Sequence, residues 1–152
     1  MIKIAIAGIG SPLGDDQVGW EVIRLLLQNP RIKKANAIFT DILDRPQLNL
    51  CHFFEKAEHF YLIDAMKNNQ ALGTITQLHA QDILQTSRLL STHGFGVTQA
   101  LKLADSLGLL PKHLVIYGIE IGPKQPEGST LHYTVAAAAE KLAQRLLEDI
   151  FH

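Results

Sequence analysis

Met1-Ile2-Lys3-Ile4-Ala5-Ile6-Ala7-Gly8-Ile9-Gly10-Ser11-Pro12-Leu13-Gly14-Asp15-Asp16 opens the chain, and its first half decides the fold. Residues 1–7 form an apolar, β-branched run ended by Gly8, the pattern of a strand buried on both faces of a sheet. After the Gly/Pro/Asp loop, Val18, Trp20, Val22, Ile23, Leu26 and Leu27 recur at helical spacing, and Asn29-Pro30 supplies a stop. Residues 35–41 then read as a second strand, 46–56 as a second helix and 59–64 as a third strand, giving β-α-β-α-β. Residues 74–78 suit a shorter, antiparallel edge strand, and 96–107 a helix with Gly108 beyond its end. Residues 113–121 give the last long strand and 135–151 a terminal helix rich in Ala and Leu. The expected fold is a single three-layer α/β/α domain over residues 1–152, with a mostly parallel twisted sheet of about five strands.

The bulk numbers agree with one domain. A chain of 152 residues with 47% hydrophobic and 19% charged residues can bury a sizeable core. Its 14 Lys and Arg against 15 Asp and Glu give a net charge of -1, so the electrostatic basis for binding nucleic acid is missing. A single cysteine, Cys51, excludes an internal disulfide; its apolar setting reads as a small buried hydrophobe. No apolar run approaches the roughly 20 residues that span a bilayer, and no signal-peptide pattern opens the chain, so a cytoplasmic protein that does not bind membranes is expected.

In open parallel sheets, loops leaving the carboxyl ends of the strands converge on one crevice. Asp15 and Asp16 follow the first strand, Asp41 and Asp44 the second, Asp64 ends the third, and Glu120 approaches the end of the last. His93 sits among Ser91, Thr92, Gly94 and Gly96, small residues that let backbone and ligand approach closely. Asp16, Asp64 and His93 together would form an O, O, N set for a divalent cation with coordination positions left open. Each also has a plainer reading. Asp15 or Asp16 can cap the first helix, which leaves one to spare; Asp64 can start a turn, although an acid directly after Tyr61-Leu62-Ile63 needs a partner at the core edge. Gly8-Ile9-Gly10 is an incomplete dinucleotide fingerprint: the third glycine position holds Leu13, and two carboxylates follow, so no organic cofactor is expected.

Four segments, taken in order, resemble a known family: Gly8-Ile9-Gly10-Ser11 with Leu13-Gly14-Asp15-Asp16-Gln17-Val18-Gly19; Leu62-Ile63-Asp64-Ala65; Ser91-Thr92-His93-Gly94-Phe95-Gly96; and the stretch from Leu110 to Glu120. They are similar to those of the NiFe-hydrogenase maturation endopeptidases. The resemblance implies an enzyme that removes a C-terminal extension from the precursor of the hydrogenase large subunit after nickel insertion. It places the catalytic metal-binding set on Asp16, Asp64 and His93, with the nickel ion supplied by the substrate, and makes Asp41 the counterpart of an acid at the substrate cleft; Ser11 and Glu120 are further candidates for that cleft. The enzyme's partner would be that precursor, and the chain itself is expected to be a monomer. The chain departs from the family pattern in having Ser11 for Asn, a glycine loop one residue shorter, Asp16 for Glu, and Thr40-Asp41-Ile42-Leu43-Asp44 in place of an Asp-Gly-Gly-Thr-like turn. Two other readings remain: a non-catalytic nickel-sensing assembly factor, and a peptidyl-tRNA hydrolase-like enzyme. The second is disfavoured because no histidine lies between Gly10 and the first helix.

Overall fold

Residues Ala5 to Ile9 are all buried, and their side chains divide between two cores: Ala5, Ala7 and Ile9 enter one, Ile6 the other. A strand apolar on both faces is stable only as an interior strand covered by helices above and below. The computed structural model describes residues 3–44, 46–85, 97–123 and 125–152. Among these residues, β1 (Ile4–Ile9), β2 (Ile38–Leu43), β3 (His59–Met66), β4 (Ile75–His79) and β5 (His113–Glu120) form one sheet in the order β2-β1-β3-β5-β4. All neighbours are parallel except β4, which runs antiparallel to β5 at the edge, as its sequence leads one to expect. One face carries α1 (Val18–Leu26) and the long α6 (Tyr133–Ile150). The other face carries α3 (Pro46–Phe54), α4 (Ala80–Gln85) and α5 (Val97–Ser106). No helix among the described residues is long and apolar enough to cross a membrane.

The chain leaves β1 for β2 on one side and returns for β3 on the other. Their carboxyl ends therefore flank the switch point at which open α/β sheets form a crevice. Two glycines set how closely the first helix approaches it. A Cβ on Gly8 would run into the Gly19 carbonyl and lie 2.7 Å from Ile23 Cγ1; one on Gly19 would meet the Ile9 carbonyl and lie 2.8 Å from the Ile63 carbonyl oxygen. Here α1 rests on β1 and β3 backbone to backbone.

Several boundaries differ from the sequence reading, for local reasons. Gly8 does not end β1, since it pairs with Ile42 and Ile63, and the strand continues to Ile9. β3 likewise runs past Asp64 to Met66, so Asp64 lies inside a strand rather than at its end. Asn29-Pro30 ends one helix but begins another, α2 (Pro30–Lys34), in which Asn29 accepts the Arg31 N–H and Pro30 occupies the first turn. That helix displaces the start of β2 to Ile38.

The Gly8–Gly19 seat leads to a stability test. Gly8→Ala and Gly19→Ala should each cost about 3 kcal/mol or more in urea unfolding, because a methyl group is forced into fixed backbone. Gly122→Ala, where the added Cβ meets only Leu72 Cδ1 at 3.6 Å, should stay within about 0.5 kcal/mol of wild type. Similar losses at all three positions would contradict the close approach.

Candidate active site

The turn after β1 is held tightly. Gly14, at φ 56°, and Gly10 let residues 10–17 fold back as a loop and a single 3-10 turn (Gly14–Gln17). The Ser11 N–H donates to the Asp16 carbonyl at 3.2 Å, and the Asp16 N–H to the Leu13 carbonyl at 3.0 Å. The Ser11 hydroxyl makes a long 3.4 Å contact with Asp16 Oδ2.

The N-cap positions of the 3-10 turn and of α1 are Leu13 and Gln17, and neither makes a side-chain cap hydrogen bond. The Asp15 carboxylate instead accepts the backbone N–H of His132 at 2.7 Å, at the N-terminus of α6, where the helix dipole favours negative charge. Three more bonds join the same two segments: Asp15 N–H to Gln125 Oε1 at 2.7 Å, Gln17 Nε2 to the Ser129 carbonyl at 2.8 Å, and Gly128 N–H to the Pro12 carbonyl at 3.3 Å. The segment between β5 and α6 thus straps the acidic turn in place. No local sequence signal marks it, since its partners lie more than a hundred residues apart.

Asp64 is fully buried. Its Oδ1 accepts the Ala65 N–H at 2.8 Å, while Oδ2 has no hydrogen-bond partner among the described residues. Its register partner on β5 is Gly118, which contributes no side chain beside it. Burial raises the carboxyl well above its ordinary value of 3.8; the Ala65 bond opposes that shift and the negative charge of Asp16 adds to it. Asp16 and Asp64 therefore sense one another across the switch point. A desolvated oxygen without a partner, beside a second buried carboxylate, is a costly arrangement that a divalent cation would relieve.

The remaining candidates fall in different places. His93 lies outside the described residues, and those residues contain no cluster of three or more His, Cys, Asp or Glu able to hold a metal. Ser11 adjoins Asp16. Glu120 is buried, but both carboxylate oxygens accept the Asn68 N–H at 3.1 and 2.9 Å, which fixes the exit of β3. Asp41 lies inside β2, with its carboxylate accepting the Ile42 N–H at 2.8 Å. Burial pushes the Cys51 thiol up, against the thiolate a nucleophile needs.

The hydrogenase maturation protease family, HycI, matches residues 45–149. The chain belongs to this family. The matched stretch contains Asp64 and Glu120; the acidic turn precedes it. A structure of HycI from Thermococcus kodakarensis KOD1 superposes with a TM-score of 0.78 at 19% identity, covering 99% of this chain and 93% of that one. The maturating endopeptidase HybD from E. coli gives 0.75 at 22% identity, with 98% and 92% covered. HybD from Thermococcus kodakarensis gives 0.73 at 21%, with 97% and 98% covered. At these identities the likeness is one of fold. No curated protein sequence matches the chain.

The Asp64 environment fixes a pH dependence for the metal-free protein. Because its folded-state value is raised, this carboxyl contributes stability in full below pH ~3.8 and loses it as pH climbs through the folded-state value. Asp64→Asn should therefore raise the calorimetric unfolding midpoint at about pH 7 and raise it much less at about pH 4. Equal increments at both pH values would contradict an uncompensated buried carboxylate.

Proposed function

We propose that this family member is an endopeptidase that removes the C-terminal extension from the nickel-loaded precursor of the NiFe-hydrogenase large subunit. The reading is supported above all by the unpartnered Oδ2 of buried Asp64 beside Asp16 at the switch point. Asp16, Asp64 and His93 serve as the protein's ligands to the nickel ion that the precursor brings. Such a set leaves coordination positions for the substrate's own ligands, so productive docking requires the loaded precursor. Bound nickel supplies Lewis acidity for the scissile carbonyl or for a water. The protein's contribution is to hold the Asp16 and Asp64 carboxylates near one another and to keep bulk water from the buried Asp64.

One observation favours a second reading, a nickel-sensing assembly factor that binds without cleaving. β2 runs as regular strand through Thr40 to Leu43, where the family resemblance leads one to expect a glycine-rich turn at the substrate cleft.

Mass spectrometry of the precursor after incubation separates the two. The endopeptidase shortens the nickel-loaded precursor and leaves the nickel-free one intact. Asp16→Ala, Asp64→Ala and His93→Ala should each fold and cut at less than about one-hundredth of the wild-type rate, the scale of losing a charge-stabilising group at a reaction centre. A stable complex with an uncut precursor would favour the assembly factor, and unchanged cleavage by all three variants would remove the site assignment.

A further inference from the structure

β2 is an edge strand of the sheet, and its backbone is oriented in a way the register settles. The Ala37 and Leu43 carbonyls accept N–H groups from β1. By alternation, residues 39 and 41 also face β1, while Ile38, Thr40 and Ile42 face outward. Two of the three outward N–H groups are occupied: that of Ile38 by the Ala35 carbonyl at 3.2 Å, and that of Ile42 by Asp41 Oδ1 at 2.8 Å. No hydrogen bond among the described residues takes the Thr40 N–H. Unpaired strand edges are templates for another strand, and proteins ordinarily blunt them with charge, proline or a cover. This edge carries one carboxylate, on its final outward amide.

Alongside lies a groove of about 360 Å³ between α1 and β2, lined by Gln17, Trp20, Ile23, Leu27 and Ile42, with the Glu21–Arg24 ion pair at its rim. Ile42, 51% exposed, and Leu27, 38% exposed, give this groove an apolar lining open to solvent. The groove adjoins the acidic turn along the chain. Gln17 follows Asp16 directly, and the Leu43 carbonyl at the end of β2 accepts both the Gly10 N–H at 3.0 Å and the Trp20 indole N–H at 3.1 Å.

We infer that an extended segment of the protein substrate, the C-terminal extension of the precursor, docks by adding a strand to the free edge of β2, with alternate apolar side chains in the Trp20–Ile42 groove. This inference rests on the endopeptidase reading above. The occupant is a peptide because alternating donors and acceptors along a strand edge are matched by another extended backbone, and pockets beside it then select every second side chain. An edge of six residues accommodates a segment of about five at ~3.3 Å per residue, and its Leu43 end delivers that segment to the loop bearing Asp16. Asp41 guards the edge in the free protein and yields the Ile42 N–H when the strand arrives.

The test combines cleavage kinetics on the nickel-loaded precursor with amide hydrogen exchange of the wild-type complex. Thr40→Pro removes the open N–H at a position where an edge strand tolerates proline; it should raise KM at least about tenfold with kcat little changed. Thr40→Val, which keeps the amide, should match wild type. The Thr40 amide should become protected when precursor binds, a readout that decides the question even if the proline variant does not fold. Binding or cleavage without Thr40 protection would overturn the inference and leave the endopeptidase reading standing. Protection already present in free protein, together with a dimer mass, would overturn it in favour of pairing between two copies. Absence of any complex or cleavage would overturn both readings.

Discussion

Where α1 crosses β1, Gly8 and Gly19 meet with no side chain between them, and the rest of the site depends on that contact. It brings the helix against the backbone of β1 and β3 at the sheet's switch point. The turn that precedes α1 is thereby fixed close enough to β3 for the Asp16 charge to be felt by Asp64. Larger residues would lift the helix and separate the two carboxylates. The strap from Gln125 to His132 closes the arrangement from the other side, holding the turn by its backbone and by Asp15.

Energetically the site runs against the fold around it. The sheet is covered on both faces by aliphatic and aromatic side chains, yet within β3 one position is given to a carboxylic acid whose second oxygen has no partner among the described residues. Such exceptions to local consistency collect where function has been favoured over stability. Glu120 shows the contrast: it is also buried and also near a strand end, but its oxygens are engaged by the Asn68 backbone N–H.

The architecture was legible because the apolar period of each segment matches its final burial. β1 read as a doubly buried strand and is one; residues 74–78 read as an antiparallel edge and β4 is one. What could not be read were effects of distant partners. The motif resemblance singled out Asp16, but the role of its neighbour was not legible: Asp15 is held by the His132 N–H and its backbone by Gln125, both more than a hundred residues away. Asp41 looked like a loop acid after a strand, because nothing local shows that β2 begins late, behind α2, and runs to Leu43. α4, too short for a clear helical period, was not anticipated at all.

The central claim is that Asp16 and Asp64 are presented to one cation. Carbon NMR of the aspartate carboxyl groups during a nickel titration tests it most directly, since a paramagnetic ion broadens only the carbons beside it. The Asp16 and Asp64 signals should fade together at substoichiometric nickel, with Asp15 and Asp41 persisting. Loss of either signal without the other, or broadening spread evenly over the aspartates, would contradict the account.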